Sequence, residues 1–167
     1  IAKAITSGYF PLGAALISER IATAFESDSS GKAAIGHGYT YSGHPVGAAA
    51  ALAAIAETRR LDVVTNAAAR GTQLYDGMVS LAGQYPMVGD VRGGHGLMTA
   101  MELVADQETK APIDGKLAIK MQKAAYQAGA LIRVSGPNVI LSPSLVIEEA
   151  DIDIALNAVE EGLKAIS

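Results

Sequence analysis

The order of short apolar runs in the second half of the chain constrains its fold more than any other feature. Met87 to Val91 and Leu97 to Val104 have the length and composition of strands, with a glycine turn between them. Asp114 then begins a helix that stops at Gly129, because aspartate is a common helix N-cap and glycine a common C-cap. This stretch therefore predicts strand, strand, helix.

Two further strands and a last helix complete this half of the chain. Leu131 to Val134 and Val139 to Leu141 are predicted strands joined by the turn residues Ser135 to Asn138, and a helix is predicted from about Glu149. The order strand, strand, helix, strand, strand, helix predicts an α+β domain that buries its own sheet face. The predicted buried side of the last helix consists of Ile152, Leu156, Val159, Leu163 and Ile166.

A long helix is predicted before this domain. Asp62 is its predicted N-cap, and Tyr85-Pro86 ends it. Apolar residues spaced three and four apart lie on one face of a helix, so they predict a single buried stripe. The stripe consists of Val64, Ala67, Gly71, Leu74, Met78 and Leu81.

The first sixty residues cannot form a core by themselves. Phe10 to Ser18 predicts a buried strand, Ser18 to Glu26 a capped helix, and Pro45 the start of an alanine-rich helix. A single strand has no partner strand, so one strand, two helices and a loop cannot complete a sheet by themselves. We therefore predict that residues 1–60 are the last, incomplete part of a larger domain, and that residues 61–167 are a connecting helix and a small α+β domain.

The composition excludes several classes of function. Thirteen Lys and Arg against 17 Asp and Glu, a net charge of −4, leave no basic surplus for nucleic-acid phosphates. Without cysteine there is no disulfide, thiolate nucleophile or cysteine metal site, which fits a reducing compartment. The longest apolar stretch, Val46 to Ala56, is too short to cross a bilayer. We therefore predict a cytoplasmic protein that binds neither nucleic acid nor membrane.

The most unusual local feature is Lys3, which lies between Ala2 and Ala4 and precedes Thr6-Ser7-Gly8. A lysine amine attacks a carbonyl only when it is uncharged, so burial or a nearby charge has to lower its pKa. Small neighbours let the backbone approach a cofactor and place the amine in a crowded, partly desolvated site. The alternative is a solvated lysine near a frayed terminus.

The Ala2-Lys3-Ala4-Ile5-Thr6-Ser7-Gly8 spacing, with the Pro-Leu-Gly-Ala run behind it, resembles the cofactor-lysine segment of the class III, or omega, aminotransferases that use pyridoxal phosphate. The resemblance implies that Lys3 is the catalytic, Schiff-base residue. It also implies an α/β fold of the fold type I pyridoxal-phosphate transferases, here the end of the large domain plus the smaller C-terminal domain. Tyr9 is then a candidate for the substrate pocket, although a core tyrosine is an equal alternative.

A second stretch, His37 to Pro45, places glycines and hydroxyls directly before a helix that starts with proline. The N–H groups and the dipole of a helix N-terminus favour an anion such as phosphate. In class III aminotransferases the similar segment supplies a threonine to the cofactor phosphate of the neighbouring subunit. The resemblance implies this role for Thr40, a place for Tyr39 beside the partner's site, and a homodimer with its active site at the subunit interface. A simple capped turn is the alternative.

The third stretch contains Arg133 within an apolar strand. A guanidinium in apolar surroundings needs an anionic partner. In the same family an arginine at this position binds the substrate carboxylate, so Arg133 is implied to do so here. The alternative is a structural arginine paired with an acidic residue.

Other features carry less weight. Gly94-His95-Gly96 lacks the last glycine of a dinucleotide-binding loop and leads into a strand, so it is interpreted as a turn. His37, His44 and His95 have no metal-ligand spacing, and no metal site is predicted. The chain begins at Ile1 rather than Met, which predicts that the parent polypeptide continues upstream.

The resemblance implies transamination from an amine or omega-amino acid to a keto acid, with pyruvate as the expected acceptor and 2-oxoglutarate as the alternative. The family's pyridine-binding aspartate, its ring-stacking aromatic and its phosphate loop precede the lysine, so the isolated chain is expected to be inactive. Two alternatives remain. One is a related pyridoxal-phosphate enzyme, an aminomutase, racemase or decarboxylase; the other is an inactive folding or assembly module.

Overall fold

The computed structural model describes residues 1–33, 36 and 38–167, and it divides them into two compact units. The first unit is Ile1–Leu61 and the second is Asp62–Ser167. Across the described ranges, no helix is both long enough and apolar enough to cross a membrane.

The first unit contains a 3₁₀ helix, Lys3–Ile5, and two α-helices, α1 (Glu19–Glu26) and α2 (Pro45–Arg60). Both α-helices begin where the sequence predicts. Ser18 precedes α1 with extended backbone but makes no side-chain cap hydrogen bond. Proline at the first position of α2 suits a site where no N–H is needed.

The predicted buried strand from Phe10 to Ser18 is wrong. This segment contains no strand, and most of its residues are exposed. Its only ladder-like pairing in the described part of the chain is between Ala14 and Ile1, whose backbones exchange hydrogen bonds of 2.6 and 2.9 Å. A strand is stable only when a neighbouring strand satisfies its backbone N–H and C=O groups. The described residues provide no strand that pairs with this segment, so its apolar pattern alone does not make it a strand.

The second unit begins with α3 (Val63–Ala82), which follows Asp62 in a left-handed backbone conformation. The predicted stripe is confirmed from Ala67 onward. At its N-terminal end the prediction is one residue off, because Val63 is buried while Val64 is 72% exposed. Val63 lies four residues before Ala67 and eight before Gly71, which keeps all three on the same face of the helix.

The α+β order predicted for the rest of this unit is confirmed. The elements are β1 (Val88–Arg92), β2 (Thr99–Leu103), α4 (Gly115–Gln127), β3 (Arg133–Ser135), β4 (Asn138–Leu141) and α5 (Glu149–Ile166). The four strands form one antiparallel sheet in the order β1-β2-β4-β3. Asp114 caps α4 as predicted, its carboxylate accepting the Lys116 N–H at 2.9 Å.

One face of the sheet packs on helices and the other is open. Along β2, Thr99, Met101 and Leu103 are buried, while Ala100 and Glu102 between them are partly exposed. This alternation is the period of two expected for a half-buried strand. The core of the unit joins α3, α4 and α5 to the buried sheet face. Its fully buried large side chains include Leu74, Met78, Met101, Met121, Ile152 and Leu163.

Candidate active site

Lys3 lies in the 3₁₀ helix with a φ of +56°, in the left-handed region that non-glycine residues seldom adopt. Backbone strain of this kind is stored most often at functional sites. Ser7 and Gly8 also have positive φ, of 51° and 82°, so the chain turns sharply after the lysine. The Lys3 side chain is exposed, so the described residues do not form the partly desolvated surroundings that the sequence predicts.

Thr6 fixes the shape of this turn. It is 2% exposed, and its hydroxyl donates to the Phe10 carbonyl at 2.6 Å. The Tyr9 N–H donates to the Thr6 carbonyl at 3.0 Å. Tyr9 itself is 88% exposed, which excludes the core role considered for it within this chain and leaves its substrate role as a prediction. Sequence reasoning did not single out Thr6, although a threonine three residues after the lysine and just before Ser-Gly was visible.

The second predicted segment is a turn at the start of α2. Tyr39 and Thr40 are both exposed, and the Ser42 N–H donates to the Tyr39 carbonyl at 2.9 Å. His44 is the N-cap of α2, and its Nδ1 accepts the Val46 N–H at 3.2 Å. His37, the first residue of the predicted stretch, lies outside the described residues.

An aromatic cluster brings the two segments together. The Phe10 and His44 ring centroids are 5.1 Å apart, and those of Tyr41 and His44 are 5.4 Å apart. Gly47 lies so close to the Phe10 ring that a β-carbon there would be 2.9 Å from it. The turn that follows the lysine therefore packs directly on the start of α2. In the described part of the first unit, no side-chain hydrogen bond links Lys3 to Thr40.

In the second unit, Arg133 is on the edge strand β3, opposite Ile140 of β4. Arg133 is one of the residues that line a cavity of about 420 Å³. Most of the lining residues are apolar, and Arg133, Ser142 and Asp151 are the polar ones. A mostly apolar cavity with few polar groups is typical of sites that bind small molecules.

The charges around the sheet distinguish Arg133 from Arg92. The Nη1 atom of Arg92 lies 2.7 Å from carboxylate oxygens of both Glu102 and Asp90, and these two partners raise the pKa of Arg92. Among the residues that the structure describes, Arg133 takes part in no ion pair. Asp151 shares the cavity, but its carboxylate accepts the Glu148 N–H at 3.4 Å in the capping box of α5. Arg133 is therefore the better placed of the two arginines to bind an external anion.

Within the first unit, Lys3 offers the kind of amine that bonds an aldehyde, and the exposed Thr40, in the turn before α2, offers a hydroxyl that can bind a phosphate. These two groups are of the kinds that pyridoxal phosphate requires. In the second unit, Arg133 is a cation without an ion pair among the described residues, which suits a carboxylate. The mixed α/β architecture is that of a portion of a fold type I pyridoxal-phosphate transferase. Sequence comparison then identifies the family: residues 1–163 match the model of the class III aminotransferases, and the chain belongs to that family. Class III aminotransferases depend on pyridoxal phosphate.

Solved and curated proteins agree with this assignment. The structure is similar to a crystal structure of an amine transaminase from an uncultivated Pseudomonas species in its PLP-bound form, with a TM-score of 0.93 and 40% identity over 99% of this chain and 38% of that one. An uncharacterized aminotransferase of Sinorhizobium fredii is 36% identical over 99% of this chain and 36% of its own length. The taurine–pyruvate aminotransferase of Bilophila wadsworthia is 33% identical over 99% of this chain and 38% of its own length. The chain thus spans little more than a third of these relatives.

Proposed function

We propose that this chain supplies the cofactor lysine, a phosphate-binding threonine and a substrate-binding arginine to a pyridoxal-phosphate-dependent transaminase. The observation that carries the proposal is the family match over residues 1–163, which includes Lys3, Thr40 and Arg133. The division of the chain into two units supports the view that residues 1–60 end the large domain and residues 61–167 include the small domain.

Each residue has one chemical task. Lys3 would hold the cofactor through Nζ, and its free amine would serve as the general base that moves a proton at the substrate carbon. The bound cofactor supplies an electron sink for the charge that develops at the substrate carbon. Thr40 would donate a hydrogen bond from its hydroxyl to the phosphate, and Arg133 would orient the substrate carboxylate through its planar fork. The strained backbone at Lys3 supports its assignment, because strain persists where a position is functionally constrained.

The proposed active site lies between two copies of the chain, with Thr40 serving the phosphate of the partner and Tyr39 beside it. The turn that contains Thr40 supports this, because Tyr39 and Tyr41 are each 74% exposed. Large aromatic side chains at a surface are typical of interface positions. Size-exclusion chromatography with light scattering on the longest natural chain that contains residues 1–167 measures the expected dimer.

The proposed substrates are an amine or omega-amino acid as donor and a keto acid, pyruvate, as acceptor. A cavity of about 420 Å³ around Arg133 suits a small acceptor. The name of the Bilophila relative, which includes pyruvate, is consistent with this choice. Residues 1–167 alone are proposed to lack activity, because Lys3 is exposed among the described residues rather than enclosed in a desolvated site.

The test of the proposed function is the covalent bond between Lys3 and the cofactor. The longest natural chain that contains residues 1–167 is incubated with pyridoxal phosphate, reduced with borohydride, and digested for mass spectrometry. We expect the reduced cofactor on Lys3 and none after Lys3→Ala, while Lys32→Ala, which removes another exposed lysine of the first unit, keeps the label. A label that remains on the chain in Lys3→Ala contradicts the proposal.

A second assay separates the proposed reaction from related ones. Amine donor and pyruvate are supplied together, and the formation of alanine is measured. Transamination produces alanine only when both substrates are present. Conversion of an amino acid without any keto acid indicates an aminomutase, racemase or decarboxylase instead.

A further inference from the structure

One wall of the Arg133 cavity is the loop that connects β4 to α5. Ser142, Pro143 and Ile147 of this loop line the cavity. The loop begins two residues after Ile140, the backbone partner of Arg133 in the sheet. A movement of the loop therefore changes the shape of the cavity that Arg133 also lines.

The loop is held in place by a side chain from α3. The Nδ2 atom of Asn66 donates to the Leu145 carbonyl at 2.9 Å and to the Ile147 carbonyl at 3.0 Å. Within the loop, the Ile147 N–H donates to the Ser144 carbonyl at 3.0 Å and closes a turn. A primary amide has two N–H donors on one nitrogen, so a single Asn66 satisfies both carbonyls. Neither alanine nor aspartate can do this.

Two other polar side chains on the same face of α3 contact α5 rather than the loop. Arg70 donates to the Glu149 carboxylate at 3.0 Å. Gln73 donates to the Glu149 carbonyl at 3.2 Å and to the Asp153 carboxylate at 2.8 Å. Residues 66, 70 and 73 are spaced four and three apart, so they form one row along the helix. Arg70 and Gln73 hold the first turns of α5, while Asn66 holds the loop itself.

We propose that Asn66 is a positioning residue for the recognition of the substrate carboxylate. Its amide holds the Ser142–Ile147 wall at the distance from β3 at which the Arg133 guanidinium and a bound carboxylate meet. Asn66 touches neither substrate nor cofactor, and it acts through the loop. The inference rests on the proposed function, because it needs Arg133 to bind a carboxylate.

The test compares two acceptors of equal carbon number in the longest natural chain that contains residues 1–167. Pyruvate carries a carboxylate and propanal does not, and kcat and KM are measured for both with one amine donor. Asn66→Ala is expected to raise KM for pyruvate about tenfold, because the loop loses the two hydrogen bonds that hold it in place. The KM for propanal and both kcat values are expected to change by less than about twofold.

Two further variants separate this inference from the proposed function. Arg133→Met should abolish the preference for pyruvate over propanal; if it does not, the role of Arg133 is wrong and the inference falls with it. If Arg133→Met abolishes the preference and Asn66→Ala leaves it intact, only the role of Asn66 is wrong. Asn157→Ala, at an exposed position of α5, is the matched control and should leave both acceptors unaffected.

Asn66→Asp keeps the size of the side chain while removing its hydrogen-bond donors. It therefore replaces Asn66→Ala in the kinetic test if Asn66→Ala does not fold. Hydrogen exchange at the Ile147 amide provides a readout of the loop that does not depend on activity. We expect faster exchange at this amide in Asn66→Asp than in the unchanged protein. Unchanged exchange and an unchanged KM for pyruvate would overturn the proposal.

Discussion

Thr99 is a buried polar residue of the second unit. Its side chain is fully buried at the start of β2, and its hydroxyl has no hydrogen-bond partner among the described residues. A β-carbon on Gly93 would lie only 2.8 Å from the Thr99 hydroxyl oxygen, so the glycine turn before β2 packs directly on this hydroxyl. On folding, a hydroxyl of this kind loses its hydrogen bonds to water and gains none in return, so its burial lowers the free energy of unfolding.

Thr99→Val should therefore stabilise the protein. Valine has nearly the same shape and removes the unpaired hydroxyl, so we expect the free energy of unfolding to rise by about 1 kcal/mol. Urea unfolding followed by circular dichroism measures the change. Thr72→Val, at an exposed position of α3, is the matched control and should alter stability by less than about 0.5 kcal/mol. A loss of stability in Thr99→Val would show that the hydroxyl has a partner.

At the scale of elements, α3 organises the second unit. Its apolar stripe contributes Leu74 and Met78 to the core, and its polar row holds the loop and the helix that enclose the Arg133 cavity. Gly71 lets the helix approach the glycine turn closely, because a β-carbon there would overlap the Gly96 backbone. The backbone cannot yield as a flexible side chain would, so this contact requires glycine.

Gly71→Ala is expected to destabilise the protein by about 1–3 kcal/mol, the usual cost of overpacking a core. The measurement is the urea midpoint followed by circular dichroism. The matched control is Gly115→Ala, at the first position of α4, where a β-carbon would have nothing within 4 Å. Because alanine has a higher helix propensity than glycine, this control should gain up to about 1 kcal/mol. Equal effects of the two substitutions would contradict the close packing of Gly71.

At the scale of the whole molecule, the two units differ in their cores. Among the described residues, the buried hydrophobic side chains belong to the second unit, with the single exception of Ala51. The first unit instead exposes large apolar side chains such as Leu16, Val46 and Leu52. Because burial of apolar surface is the main favourable term in folding, the second unit should contain nearly all the stability of the chain.

Residues 62–167 are therefore expected to fold alone. Produced separately, they should unfold cooperatively in urea with nearly the midpoint of the complete 167-residue chain, while residues 1–61 should show no cooperative transition. Circular dichroism at several urea concentrations distinguishes these outcomes. A non-cooperative transition for residues 62–167 would contradict the assignment of the core to this unit.

The sequence alone was enough to determine elements whose pattern is local. The start of α2 at Pro45, the Asp114 cap of α4, the stripe of α3 from Ala67 onward and the α+β order of the second unit depend on propensity and periodicity. The family was also visible in the short motifs that contain Lys3, Thr40 and Arg133, and the family match over residues 1–163 confirms it.

Only the tertiary structure determined the features that depend on contacts between residues far apart in the sequence. The strand expected from Phe10 to Ser18 does not form, because a strand exists only with a neighbour to pair with. The Arg133 cavity is lined by segments that are far apart in the sequence. Asn66 likewise bonds carbonyl groups that lie 79 and 81 residues further along the chain. Spacing in the sequence does not predict either of these contacts. Local sequence determines which elements form, but packing determines which side chains meet.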